Sequence, residues 1–358
     1  MKDKIKLTEN LFEEFPEVTS EEWKEEIVKD LKGGDIRKLD WKPYEGFTVR
    51  PFYTEEDLDA VGYLTGQYPG VFPYARGNES AGNDWKINER IISGSVKDAN
   101  RLALRSLGAG AQSLTFVCEA VNGFVSGVPI ESARDMSALL KDIPVEEVPV
   151  HFKCGTGAAG ILALYILEAG KRGLDKKRLA GSVDADPLKF LALSGSFPGD
   201  ERGTFEGLRS IISYLENNMP YYRALEVSGR HFHDSGASAV QELAFTLSAG
   251  VEYLDRLTSL DMSVDRITAH MSFSFSVGSS YFMEIAKLRA ARLLWATIAE
   301  AFGARKELAE KMVIRAETSS WDKTVFDPYV NMLRGTVEAM AAAIGGCESF
   351  DVLPLDAV

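Results

Sequence analysis

"VPVHFKCGTGAAGILALYILEAGKRG", residues 148–173, carries the theme on which the whole chain is built. It opens on a short apolar, β-branched run, 148–154, followed by a tight turn of small residues, "GTGAAG" (155–160). The remainder is a helical pattern ending in Lys171, Arg172 and Gly173. Basic residues and then glycine mark a helix C-terminus. Read outward, the same unit recurs. Runs near 85–92, 113–118, 148–154, 178–184, 223–229, 267–275, 312–318 and 348–354 each have a strand's composition. Helical patterns separate them, among them 98–110, 235–257 and 281–303. Strand and helix alternating in this way predict an α/β fold, a (β/α)8 TIM barrel. The eighth run is followed only by residues 355–358, so an eighth helix is not expected from them. Either an N-terminal helix covers that side, or the chain is a fragment of a longer polypeptide.

Residues 1–68 read as an N-terminal arm and 69–358 as the barrel. In the arm, Thr19 or Ser20 is placed to cap a helix, and Trp23, Ile27 and Leu31 recur at i, i+4 and i+8. Gly33 and Gly34 stop it. Such a stripe must pack, on its own domain or on another subunit.

The net charge of −13 argues against a nucleic-acid surface, which needs clustered Lys and Arg. Three cysteines, Cys118, Cys154 and Cys347, are far apart and odd in number. They make neither a disulfide framework nor a zinc pattern and suggest a reducing compartment. The first 18 residues have no apolar core of signal-peptide length, and no stretch reaches the roughly 20 apolar residues that span a bilayer. A soluble, cytoplasmic protein with no membrane partner is expected.

"RHFHDSG" (230–236) holds two of the four histidines, His231 and His233. At the end of a strand, rings two residues apart share a face, and a metal would then need a third ligand such as His270, Asp234 or Asp184. Satisfied histidines in a former pocket are the better reading, with no metal expected. "GTGAAG" matches Gly-x-Gly-x-x-Gly, but Asp175, the acid at ribose distance, has no strand before it. A tight βα turn explains it, though its helix N-terminus could take a ligand's phosphate tail. His151 sits in an apolar strand pattern as a core residue. In "KLRAARLLW" the basic residues Lys287, Arg289 and Arg292 pair with acids such as Glu284 and Glu300, or with a partner subunit, or touch a ligand's phosphate.

Several long runs resemble the adenosylcobalamin-dependent acyl-CoA mutases, chiefly the methylmalonyl-CoA mutase family. They are "PGVFPYARG" (69–77), "SGRHFHDSGASAVQELAFTLSAGVEYL" (228–254), 271–303 and 316–346. They lie in order across residues 69–350. The resemblance implies a (β/α)8 substrate barrel, which agrees with the strand count.

The same resemblance also implies which positions to compare with the catalytic members. His231 falls on the family's active-site histidine, but Arg230 stands where catalytic chains have a tyrosine. Ser194 falls where an arginine pairs with the substrate carboxylate, and serine cannot make that bidentate pair. Asp184 replaces a glutamine and would repel an anionic substrate. His270 replaces an arginine that helps bind CoA, while the neighbouring Ser272 is kept. The loop "NESAGNDW" (78–85) is shorter than its counterpart and lacks its tyrosine. No Asp-x-His-x-x-Gly motif for a cobalamin domain occurs. With His231 retained and its partners lost, the chain is similar to a small, non-catalytic mutase subunit. It is then expected to pair with a larger catalytic subunit that holds the adenosylcobalamin, binding no cofactor itself and acyl-CoA at most weakly. The alternatives are a competent acyl-CoA mutase or isomerase with a rebuilt pocket, or an orphan barrel for another small ligand.

Overall fold

In this computed structural model, residues 18–64, 66–121, 124–305 and 311–356 are described. The first 17 residues, where a targeting signal was sought, lie outside them. The chain divides into two units, Met1–Gly66 and Gln67–Val358.

In the first unit α1 (Ser20–Asp30) begins at the anticipated cap. Thr19 Oγ1 accepts from the Glu22 amide and the Glu22 carboxylate reaches back to Thr19, a reciprocal capping box. Trp23, half of it exposed, stacks on Phe52 with ring centroids 5.2 Å apart.

The second unit holds nine strands among its described residues: β1 (Lys86–Ile91), β2 (Ser113–Val121), β3 (Phe124–Gly127), β4 (Val150–Lys153), β5 (Gly181–Ala185), β6 (Tyr222–Ser228), β7 (Met271–Val277), β8 (Ile314–Thr318) and β9 (Ser349–Asp351). All but β3 pair in parallel in the order β1-β9-β8-β7-β6-β5-β4-β2, and β2 closes onto β1. This is the (β/α)8 barrel that the alternation predicts. The short β3 folds back on β2 as an antiparallel hairpin, which no reading of the runs anticipates.

The helices are α2 (Val96–Gly108), α3 (Ala133–Leu139), α4 (Ala158–Lys171), α5 (Pro187–Ser194), α6 (Glu201–Asn218), α7 (Arg230–Asp234), α8 (Ala239–Thr258), α9 (Val264–Ala269), α10 (Tyr281–Ala301) and α11 (Pro328–Gly345). Residues 352–356, after β9, form no helix. Strand residues alternate, so Val150 and Phe152 of β4 face the helices. There Phe152 packs on Phe116 and on Tyr165 of α4, and Phe273 of β7 packs edge-on against Trp295 of α10 at 4.6 Å. This outer apolar layer is the main core. Gly181 starts β5 with φ +139°, and a Cβ there would lie 1.8 Å from the Val150 carbonyl oxygen, so the β4–β5 approach admits only glycine.

Two boundaries differ from expectation. The run 267–275 is not strand throughout: α9 occupies Val264–Ala269, because Val264, Ile267 and Thr268 bury one helical face, and β7 begins at Met271. The helix expected to start near Asp234 or Ser235 starts at Ala239. Gly236, at φ +92°, turns the chain after α7, and Ser238 and Gln241 form the capping box that starts α8.

Candidate functional site

Barrel interiors are ordinarily filled by Val, Ile and Leu. Here the inward positions carry Asn88, Thr115, Lys153, Ser182, Asp184, Glu226, Ser272, Ser274, Arg315, Glu317 and Asp351. Burying such groups is costly unless each is paired, and the pairs are made across the lumen. Arg315 of β8 donates from Nη1 to both Asp184 oxygens of β5, each at 3.0 Å, and contacts Glu226 of β6 at 2.7 Å. Its Nη2 donates to Thr115 Oγ1 of β2 at 3.0 Å. One guanidinium thus ties three distant walls. Glu317 accepts from Arg90 and from Arg230, each at 2.7 Å, and lies 3.6 Å from Lys153, which is equally far from Glu226. Asn88 donates to Asp351 and to Thr115. Four cations (Arg90, Lys153, Arg230, Arg315) therefore meet three carboxylates (Asp184, Glu226, Glu317), and a fourth, Asp351, is held by Asn88.

Burial would raise every one of these carboxyls, but position decides the outcome. At Glu317 the opposing pull of Lys153, Arg230 and Arg90 wins and brings the carboxyl down to about 2. At Asp184 burial outweighs Arg315 and pushes the carboxyl up to about 6. Asp351 is likewise pushed up to about 6, by burial and by Glu317. Asp184, expected to repel an anionic substrate, is held by Arg315 and Ser182.

The histidines part company. Strand β6 ends at Ser228, so His231 and His233 sit on the helical turn α7 and not on a strand end. Residues two apart on a helix point apart. His233 contacts Ser319 Oγ at 2.7 Å and lies 3.6 Å from Glu242, which in turn holds the buried Lys287 at 2.6 Å. Both ring nitrogens of His231 are buried without a partner, and its ring rests on Phe232 at 3.9 Å. Burial first, and Lys189 second, lower its pKa to about 4, so the imidazole is neutral at pH 7. Among the described residues no group of three His, Cys, Asp or Glu is arranged to hold a metal ion.

The remaining expected positions do not assemble around His231. Ser194 is exposed at the end of α5, where its hydroxyl donates to the Phe190 and Ser196 carbonyls. His270 lies at the opposite, N-terminal end of the strands, with Nδ1 2.7 Å from the Tyr222 carbonyl. Ser272, next to it, donates to the Leu225 carbonyl. His151, expected as a core residue, lies inside the barrel with Nδ1 2.8 Å from Ser182 Oγ, and burial lowers its pKa well below the usual imidazole range. Asp175 caps a short 3-10 turn, not a ribose. In α10, Lys287 pairs with Glu242 and Glu284, and Arg292 donates to the Met312 and Gly346 carbonyls and Glu348.

Sequence reasoning missed a cavity of about 620 Å³ at the N-terminal end of the strands. Arg76, Arg223, Arg289 and Lys311 line it, with the loop 78–85 on one side. Asn78 anchors that loop by donating to the Met312 carbonyl and to Glu348. Nε of Arg223 and of Arg289 and Oδ1 of Asn78 are buried without a partner. Glu79, Asp84 and Glu348 also line it, so four cations face three carboxylates, and an anionic, phosphate-bearing group would be met by the free Nε donors rather than by a uniformly cationic wall. The four cations come from four separate stretches of chain, so only Arg289 was singled out beforehand.

Residues 42–358 match the family model described as methylmalonyl-CoA mutase. The methylmalonyl-CoA mutase small subunit of Porphyromonas gingivalis is 38% identical over 353 residues, covering 97% of this chain and 55% of that protein. The methylmalonyl-CoA mutase of Cereibacter sphaeroides is 33% identical over 351 residues, covering 93% and 49%. The methylmalonyl-CoA mutase large subunit of Streptomyces virginiae is 32% identical over 358 residues, covering 95% and 49%. The chain spans about half the length of these curated relatives.

Proposed function

This chain belongs to the methylmalonyl-CoA mutase family, and we propose that it is the barrel portion of a small, non-catalytic subunit. Its role is to assemble with and stabilise a larger catalytic chain in a cytoplasmic heterodimer of propionate metabolism. That catalytic chain interconverts methylmalonyl-CoA and succinyl-CoA. The observation that carries this reading is the Arg315 network, which crosses the lumen from β8 to β5, β6 and β2. A substrate reaching His231 along the barrel axis would have to displace these matched, desolvated pairs, at a cost of several kcal/mol for each charge left alone.

In the family, adenosylcobalamin supplies the radical that rearranges the carbon skeleton. The described residues do not fit that group. His151, His233 and His270 are engaged by Ser182, Ser319 and the Tyr222 carbonyl, and both His231 nitrogens are buried, so none offers an open imidazole as an axial ligand.

The cationic cavity favours one second reading, a competent acyl-CoA mutase or isomerase with a rebuilt pocket. Titration of the purified chain with methylmalonyl-CoA, followed by co-expression with a catalytic mutase chain, separates the two. The subunit reading expects no saturable binding at micromolar ligand and a stoichiometric complex in which cobalamin and CoA sit on the other chain. Micromolar binding, or turnover by this chain with added cobalamin protein, overturns it.

A further inference from the structure

By sequence the three cysteines stand apart, but the fold brings two together. Strands β2 and β4 run in register with Val117 opposite Lys153, and the next residues are Cys118 and Cys154. Neighbouring strands lie about 4.8 Å apart, so one residue past this last ladder pair the two chains start from a separation that a disulfide can span, roughly 4.4–6.8 Å between Cα atoms. The two sulfurs also share a face. Cys118 Sγ donates back to the Phe116 carbonyl and Cys154 Sγ to the Phe152 carbonyl. Phe116 and Phe152, two residues earlier on each strand, stack on the helix-facing side. The thiols are near enough for Cys118 to act on the Cys154 thiol, which it and burial together hold well above the usual range. Cys154 has already left extended geometry, at φ −125° and ψ 2°, so the ladder does not fix its side chain. Cys118 is half-buried, whereas Cys154 and Cys347 are buried.

We propose that Cys118 and Cys154 are a redox-active dithiol that closes to an intramolecular disulfide by exchange with a low-molecular-weight disulfide. Cys118, the more accessible, attacks one sulfur of that disulfide as the thiolate, and the other sulfur leaves as a thiolate. Cys154 then gives its proton to solvent and attacks the Cys118 sulfur, expelling the second thiolate. Two protein thiols are oxidised and one small disulfide is reduced to two thiols. The new bond staples β2, whose next residue Glu119 pairs with Lys189 of α5 at 2.8 Å, to the turn that starts α4.

The test treats the full chain with oxidised glutathione and counts thiols beside intact mass and peptide mapping. Loss of two of the three thiols, a mass lower by two hydrogens, and reversal by dithiothreitol are expected. Cys347→Ser should keep the reaction, and Cys118→Ser should abolish it. A glutathione adduct that persists on Cys118, a link to Cys347, or three surviving thiols overturns the assignment.

Discussion

At the C-terminal end of the barrel strands Arg90, Lys153 and Arg230 find carboxylates, while at the N-terminal end Arg223 and Arg289 keep Nε atoms with no partner. Both ends concentrate cations. The cations of the upper set each have a carboxylate within ion-pair distance across the lumen; the lower set borders open space. The difference teaches that charge inside a barrel is not by itself a binding signal. What matters is whether the partners are already within the protein.

The largest effect should follow from breaking the lumen network. Arg315→Ala leaves Asp184 and Glu226 buried without their main cation, a loss of about 3–5 kcal/mol on the scale of one-sided removal from buried pairs. Urea unfolding midpoints measure it. Arg289→Ala, which removes a charge bordering the cavity, should cost well under half as much in the same assay, and an equal loss would break the comparison.

Proton linkage sharpens it next. Asp184 has a folded value of about 6 against 3.8 when free, so the native state holds an extra proton between those values. Its contribution is fully present below about pH 4 and is lost as pH rises through 6. Glu317 runs the other way: with a folded value of about 2 against 4.5, its contribution is present above 4.5 and is lost as pH falls through 2. Asp184→Asn should therefore gain stability relative to wild type as pH rises from 4 to 6. Asp351, also at about 6, keeps its own share of the slope. Unfolding midpoints across that range check the sign.

Smaller still is Ser194→Ala. The exposed hydroxyl closes only its own helix end, so the change should stay within about 0.5 kcal/mol by thermal or urea melts. Smallest of all, on the subunit reading, His231→Ala should leave the turnover of an assembled complex nearly unchanged, whereas the equivalent change in the catalytic chain abolishes it. A large loss from His231→Ala would place chemistry at the C-terminal end after all.

The alternation of strand and helix was legible because it is local. A run such as "SLTFVC" and the helix after it carry their signals within a dozen residues. The α7 turn was not, since "RHFHDSG" has no period of its own and takes its shape from Gly236 and the Ser238 cap. The lumen network was hidden for a different reason. Arg315 and Thr115 are 200 positions apart, and only barrel closure makes them neighbours. A trace was present, though: "GSVDA" and "IRAET" place polar or charged residues, Ser182 and Asp184, Arg315 and Glu317, at alternate positions. Side chains at that period must face inward if their neighbours pack on helices. The cysteine pair left no such trace, because strand register is not written in spacing.

The seam between β1 and the three-residue β9 has a consequence for how the molecule is made. Lys86 meets Ser349 and Ile87 meets Phe350, and across the same join Asn88 bonds Asp351, 263 positions away. During synthesis the early strands leave the ribosome long before the residues that complete the ring. Until then the sheet is an open ribbon with bare edges, the kind of template on which chains stick to one another. Its inward charges remain hydrated over that interval and shed their water only when the ring shuts. The seam thus sets the interval in which a nascent chain most needs a chaperone.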